Sequence, residues 1–359
     1  MNDPSTAIAT IFRCPKCRNS GTLIKKEGGL ECTSCHSAYP IQNGVIIFDN
    51  RSIPYREIPK EEFEAIISGM RTRNWRDVVF EHLHRPYPFL RLIITDDTRA
   101  DWTSFFDFYN KRVLEIGPGH GTLTERLLSF GCAVDCIEPT IERLQFIAGR
   151  LEQAGFKNAY GLHCANALEL PFADAQFDCA TMIGVLEWVP ESVDNGDPRE
   201  LQLQALREVH RALSSNGTLY LAIENKDSHR YYNGYPDDHT GISHISYLDR
   251  KEANLLSQRI RGKDYRTFTY NREEYIELLL SAGFKTVKFY YQYPDYKSYT
   301  YMCSLGDKNI REYILSHYEG SRLTSEERTA FLAEQKNICS KDSVDGAASF
   351  LIVAGKILP

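Results

Sequence analysis

The stretch Arg112-Val-Leu-Glu-Ile-Gly-Pro-Gly-His-Gly-Thr-Leu-Thr-Glu-Arg126 constrains what this chain can fold into more than any other. A short apolar strand, 113–116, carries a carboxylate at Glu115 and runs into Gly117, Gly119 and Gly121, with Pro118 between the first two. A helical pattern then starts at Leu123. Glycines after a strand let backbone approach a ligand closely, and the helix that follows presents N–H groups without intrahelical partners. The spacing is G-x-G-x-G rather than the G-x-G-x-x-G of dinucleotide loops, and the acid precedes the glycines. That combination suits a ligand with a positively charged amino acid portion better than a pyrophosphate.

Downstream the pattern alternates strand with helix, which predicts an α/β fold with a parallel sheet. Strands are expected at 112–116, 133–137, 159–164, 177–183 and 218–223, with helices at 123–130, 141–154 and 200–213 between them. After an insertion come a helix at 273–282 and a strand at 285–291, and after another a last apolar strand at 350–354. Glu138 and Pro139 end the second strand, some twenty residues after the glycine loop, where a carboxylate can accept hydrogen bonds from ribose hydroxyls. Asn166 and Ala167 end the third, and the fourth runs out through Ile183-Gly184-Val-Leu-Glu-Trp188. All of these lie at carboxyl ends of predicted parallel strands, where ligands bind in open α/β sheets.

This constellation, with Leu206-Arg-Glu-Val-His-Arg-Ala-Leu213 and Asn216-Gly217, resembles the class I S-adenosylmethionine (SAM) methyltransferases over about 113–225. The resemblance implies a Rossmann-like seven-stranded sheet and SAM as cofactor. It places Gly117, Pro118, Gly119 and Gly121 against the cofactor's amino acid part with Glu115 nearby, and Glu138 with Pro139 at the ribose. Asn166 then faces the adenine amine, Ala167 supplies backbone, and Ile183 and Gly184 lie beside the sulfonium.

Ten cysteines divide into two groups. Cys14-Pro-Lys-Cys17 and Cys32-Thr-Ser-Cys35 form two C-x-x-C pairs separated by fourteen residues, the spacing of a zinc ribbon. A hairpin with a Gly28-Gly29 turn is expected between them. Such a ribbon is too small to fold on a hydrophobic core alone, so the zinc is structural and its four-cysteine site closed. With Tyr39-Pro-Ile-Gln-Asn-Gly-Val-Ile-Ile-Phe48 it resembles the small zinc-ribbon activator proteins of tRNA and release-factor methyltransferases. The other six (Cys132, Cys136, Cys164, Cys179, Cys303 and Cys339) read as reduced packing residues. The expected organisation is a ribbon at 1–48, a helical linker and cap at 49–110 with helices at 61–70 and 102–109, and a methyltransferase domain at 111–359. Lid insertions are expected at about 225–270 and 294–347.

The first insertion gathers His229, Tyr231, Tyr232, Asp237, Asp238, His239 and His244 just after strand five. A hydroxyl acceptor is a poor nucleophile and needs a base, so His239 and His244 are the catalytic candidates, with Asp238 to orient an imidazole. Ile223-Glu-Asn, Pro236-Asp-Asp-His-Thr-Gly241 and Tyr293-Pro-Asp-Tyr-Lys297 resemble methyltransferases of bacterial cell-surface glycan assembly, which implies a glycan or small polar acceptor. One alternative is a ribosomal or transfer RNA methyltransferase that uses the ribbon to find RNA. Against it stand the net charge of −6 and the absence of the Asn/Asp-Pro-Pro-Tyr/Phe motif of base-amine methylation. The other is a non-catalytic SAM-binding partner, which the intact Glu115, Gly117, Gly119 and Glu138 disfavour. No apolar run reaches the length of a membrane span, and 1–13 does not read as a secretory signal, so a cytoplasmic chain is expected.

Overall fold

The computed structural model describes residues 11–49, 57–304 and 347–357. The chain forms two compact units: Met1–Ile183 with Gln204–Leu219 and Gly355–Ile357, and Gly184–Leu203 with Tyr220–Ala354 and Leu358–Pro359.

The first unit begins with the ribbon strands β1 (Leu23–Lys26), β2 (Gly29–Cys32), β3 (Ala38–Gln42) and β4 (Val45–Ile47). β1 and β2 form the expected hairpin, and Asn43 (φ 51°) with Gly44 (φ 81°) turns β3 into β4 in the left-handed conformation that tight hairpins need. The parallel strands are β5 (Arg112–Ile116), β6 (Ala133–Ile137), β7 (Tyr160–Cys164) and β8 (Phe177–Ile183). β9 (Leu213–Glu224) runs through both units. The order in the first unit is β1-β2-β3-β4-β7-β6-β5-β8-β9. β4 lies parallel to β7, with Val45 opposite Leu162 and Ile47 opposite Cys164, so the ribbon extends the parallel sheet. The order reverses at β5, which has β6 on one side and β8 on the other. A reversal of this kind opens a crevice at the strands' carboxyl ends.

Helices Lys60–Gly69, Trp75–Leu83 and Pro88–Thr95 cap this unit, packing Phe63, Ile66, Trp75, Val78 and Ile94 around Phe146 of helix Ile141–Gln153. The helix expected at 102–109 is instead a 3₁₀ segment, Asp97–Phe105. The Asp96 side chain accepts from Thr98 N and starts the turns earlier, and Phe106 is already extended (φ −131°, ψ 158°). Likewise β9 begins at Leu213 rather than 218, so Asn216-Gly217 lies within the strand, and Gly217 O accepts from Lys356 N.

In the second unit the order is β9-β12-β10-β11, with β10 (Thr286–Asp295), β11 (Ser298–Ser304) and β12 (Ser349–Gly355). β11 adds a hairpin to the expected seven strands, closing between Asp295 and Ser298. Of the insertion expected at 294–347, residues 305–346 lie outside the described residues, and Cys339 with them. Helix Arg272–Ala282 starts on a reciprocal Asn271–Glu274 capping box and ends at left-handed Gly283. The insertion at 225–270 folds on its own small core of Ile242, Ile245, Ala253 and Tyr265.

Candidate active site

The first unit holds the glycine-loop region and the cysteine ribbon, and the second a buried cluster around His239. In the first, β5 delivers Glu115, 2% exposed, beneath the glycine loop. Gly117 (φ 66°), Gly119 (φ 58°) and Gly121 (φ 82°) all adopt the left-handed conformation, and Gly121 caps helix Thr122–Ser129. Among the described residues nothing lies within 4 Å of where a side chain of Gly119 would project, whereas one at Gly121 would press on Ile147. Glu115 Oε2 accepts from Thr124 Oγ1 at 2.7 Å. Burial pushes its carboxyl up to about 7, opposed by that hydrogen bond. Glu138, also buried, accepts from Thr140 N at 3.0 Å through Oε1, and its Oε2 lies 3.5 Å from Arg143. Burial raises its pKa, with Arg143 opposing. Asn166 Oδ1 accepts from Leu168 N at 2.9 Å, and Asn166 and Ala167 are each 8% exposed. Pro139, its carbonyl 3.6 Å from Cys164 Sγ, stands between Glu138 and the start of helix Ile141–Gln153.

Two buried residues of this region escaped the sequence reading. Arg150 is fully enclosed: Nε meets Glu125 at 2.6 Å, Nη2 meets Asp97 at 3.0 Å, and Nη1 donates to His120 O, Thr122 Oγ1 and Ile94 O. Its guanidinium also lies over Trp75. One side chain therefore ties the glycine loop to the cap. His120, inside the loop, packs edge-on against Phe63 and Phe146, and burial pulls its pKa down to about 3, which keeps the ring neutral. In the sequence Arg150 is placed only within the helix expected at 141–154 and is given no role.

The ribbon cysteines converge as the spacing requires. Cys14 Sγ lies 3.6 Å from Cys35 Sγ, and Cys17 Sγ 3.6 Å from Cys32 Sγ, with all four within 4.8 Å of one another. Four sulfurs bound tetrahedrally to zinc at about 2.3 Å stand about 3.8 Å apart. Each C-x-x-C is followed by a left-handed residue, Arg18 and His36, which lets the knuckle fold back on its first cysteine. The arrangement is compatible with zinc.

The second unit holds a buried acidic cluster around His239. Its Nε2 is 3.6 Å from Glu187 and 3.7 Å from Glu224, and its Nδ1 is 3.7 Å from Asp237. Glu187 follows β8 in the chain, Glu224 ends β9, and Asp237 and His239 belong to the insertion. Asp237, not Asp238, is thus the carboxylate at the imidazole. It accepts from Ser246, Tyr265, Thr240 Oγ1 and two backbone N–H groups. Asp238 meets Arg230, Tyr231 and Lys297. His244 lies on the exposed part of the insertion, hydrogen-bonded to Tyr247 at 2.9 Å. The β10–β11 turn brings Lys297 Nζ to 2.7 Å and Tyr296 OH to 3.1 Å of Glu224 Oε1. Gly184 (φ 66°) must stay small, because a side chain there would collide with the Tyr296 hydroxyl.

The charges in this cluster oppose one another. Burial acts to lower the His239 pKa, but Asp237, Glu187 and Glu224 hold it well above the ordinary imidazole value. Burial, then repulsion from Glu224, raises that of Glu187. Glu224 goes the other way: against burial, Lys297 and His239 hold its carboxyl down at about 2.

Residues 114–221 match the family model of the methyltransferase domain, and residues 10–44 match that of the Trm112p-like proteins. Residues 114–221 are thus similar to a methyltransferase domain, on a Rossmann-like α/β fold, and residues 10–44 to the Trm112p-like proteins. Among individual proteins, the chain is 42% identical over 65 residues to an uncharacterized protein of Methanocaldococcus jannaschii, covering 18% of this chain and 24% of that protein. It is 41% identical over 61 residues to ribosomal RNA small subunit methyltransferase A of Pseudomonas savastanoi, covering 17% of this chain and 22% of that one. The chain spans less than half the length of the curated relatives it matches, from 22% to 41%. Among solved structures, a SAM-dependent methyltransferase of Thermotoga maritima shares 17% identity, with a TM-score of 0.42, over 78% of this chain and 99% of that chain. Among the described residues, no helix is long and apolar enough to cross a membrane.

Proposed function

We propose that the protein transfers the methyl group of SAM to a hydroxyl of a small polar acceptor, of the sugar or glycan-precursor kind. The observation that carries the SAM half is the convergence of Glu115, the Gly117–Gly119–Gly121 loop, Glu138 and Asn166 at the carboxyl ends of β5, β6 and β7, beside the sheet's reversal. In this reading Gly117, Pro118 and Gly119 take the amino acid part, and Glu138 exchanges Arg143 for the ribose hydroxyls. Asn166 and Ala167 border the adenine, and Ile183 and Gly184 lie near the sulfonium. The residues fit such a cofactor: open space at Gly119 admits its backbone-bound portion, and Glu138 keeps a carboxylate oxygen with only one distant cation. Cys14, Cys17, Cys32 and Cys35 hold a structural zinc.

Support for a hydroxyl acceptor comes from the cluster around His239. Methyl transfer from a sulfonium is an in-line displacement that needs alignment and, for a hydroxyl, a proton acceptor. Among the described residues neither oxygen of the buried Glu187 has a hydrogen-bond donor, so this group is available to take that proton. His239, held charged by its three carboxylates, orients the acceptor rather than deprotonating it. Trp188, half-exposed and edge-on to His239 at 5.1 Å, offers an aromatic surface of the type that sugar rings cover.

RNA is the second reading, favoured by the Pseudomonas relative and the Trm112p-like region. Two of the ribbon's cations are already engaged, Arg13 with Glu208 at 3.8 Å and Arg18 with Glu169 at 3.4 Å, which weakens its electrostatic case. Incubating the whole chain with methyl-labelled SAM and separate pools of neutral sugars, sugar nucleotides and RNA separates the readings. Label in the sugar pools alone is expected. Label only in RNA overturns the acceptor assignment, and an absence of SAM binding overturns the enzyme.

A further inference from the structure

From the arrangement around His239 we infer a second metal site, distinct from the cysteine ribbon, in which Glu187, Glu224 and His239 Nε2 bind a divalent cation of the manganese type. The three ligand atoms lie within 4.8 Å of one another, and Nε2 is 3.6 and 3.7 Å from the two carboxylates. Ligands about 2.1 Å from a common ion stand about 3–4 Å apart, so small side-chain adjustments close the site.

The buried groups point to an occupant. Glu187 and Glu224 are both fully buried, yet among the described residues both oxygens of Glu187 and Oε2 of Glu224 lack a hydrogen-bond donor. A buried carboxylate oxygen without a donor is costly, and proteins ordinarily resolve it with a donor, a proton or a metal. Glu224 divides its two oxygens accordingly: Oε1 takes Lys297 and Tyr296, leaving Oε2 on the His239 side. Around this point five carboxylates (Glu187, Glu224, Asp237, Asp238 and Asp295) face two permanent cations, Arg230 and Lys297. A divalent ion balances that excess.

The surroundings of the imidazole match those of a ligating histidine. Nδ1 lies 3.7 Å from Asp237 Oδ2, an ion-pair and not a hydrogen-bond distance that a small ring adjustment would close, and Asp237 is fixed by Ser246, Tyr265 and Thr240. A carboxylate behind the non-ligating nitrogen sets the tautomer and strengthens the ligand. Two carboxylates with one imidazole favour manganese-like ions over the soft ions that the ribbon's thiolates select. The inference rests on the same cluster as the proposed acceptor site but assigns it differently. With an ion bound, Glu187 and His239 are ligands in place of base and orienting cation, and the ion would supply the lowered pKa of a bound hydroxyl. Metal binding itself does not depend on that reading.

The test uses the whole chain with its cysteine ribbon loaded with zinc. Mn²⁺ is titrated and followed by electron paramagnetic resonance, with Mg²⁺ and Zn²⁺ as competitors. One saturable Mn²⁺ equivalent is expected. Asp237→Asn should weaken it by about 10–100-fold, the usual effect of losing a histidine's supporting carboxylate, and Glu187→Gln by more. Thermal melts identify any variant that fails to fold, and Co²⁺ then decides on the wild-type chain. A weak oxygen–nitrogen ligand-field spectrum beyond the zinc-filled ribbon supports the site. No equivalent of Mn²⁺, Zn²⁺ or Co²⁺ beyond the ribbon overturns it, as does unchanged Mn²⁺ affinity in folded Glu187→Gln. SAM binding by the same samples reports separately on the methyltransferase reading.

Discussion

The glycine-loop site and the His239 cluster are built in different ways. The first is mainly backbone: left-handed glycines, strand ends and a helix start, all set by local sequence. The second is mainly side chain, assembled from residues 187, 224, 237–239 and 296–297, with no two of its segments adjacent in the chain. A site made by local backbone conformation leaves a spacing that can be read, because turn and cap chemistry fix where glycine must stand. A site made by convergence leaves only residue types, which are equally at home on solvent.

The largest effect that probes this contrast lies at the ribbon. With zinc bound at the ribbon as proposed, its removal or Cys32→Ser would take away an ion whose binding is worth on the order of 10 kcal/mol in small ribbons. Because β4 pairs with β7, and β7 leads to Asn166, the loss is expected to lower both melting temperature and SAM affinity. An unchanged melt after verified zinc removal would show that the ribbon does not support the sheet.

Next is Glu115, whose buried carboxyl holds its proton to about 7 against an ordinary 4.5. Between these values the folded chain binds more protons than the unfolded one, so stability falls as pH rises through that window and is level above it. The loss is on the order of 3 kcal/mol. Glu115→Gln should flatten the slope between pH 4.5 and 7 in denaturant midpoints, and an identical slope in both proteins would exclude this carboxyl as its source. If Glu115 meets the cofactor's ammonium, SAM affinity should also rise across that window in the wild type alone.

In the proposed site Glu138→Ala would remove charged hydrogen bonds to the ribose, worth about 1.5–3 kcal/mol. SAM affinity by calorimetry is expected to fall about tenfold or more, and an unaltered affinity would remove Glu138 from the site. Arg150→Met should cost about 2 kcal/mol of stability, less than a fully buried pair, because Asp97 and Glu125 keep some solvent. Smallest is His244→Ala, where an exposed ring with one tyrosine partner should change turnover less than about twofold. A large loss there would restore His244 as a catalytic candidate.

Much of the fold was legible. Strands 112–116, 133–137 and 177–183 have the predicted bounds because each is a short buried run ended by charge or glycine. The ribbon was legible because thiolate geometry dictates its spacing. What the sequence hid is non-local. Lys297 and Tyr296 read as part of an aromatic lid, and only the Asp295–Ser298 turn aims them at Glu224. Glu187 looked like a residue of the strand-four exit, and its role depends on a histidine fifty-two positions later. Asp238 was chosen over Asp237 because adjacent carboxylates cannot be ranked without the hydrogen bonds that fix one of them.

The central claim is that the glycine loop holds SAM. Isothermal calorimetry of SAM against the zinc-loaded whole chain, paired with Gly117→Arg, tests it most directly. One saturable site in the wild type and none in the folded variant is the result this account predicts. No binding by the wild type, or equal binding by both, would contradict it.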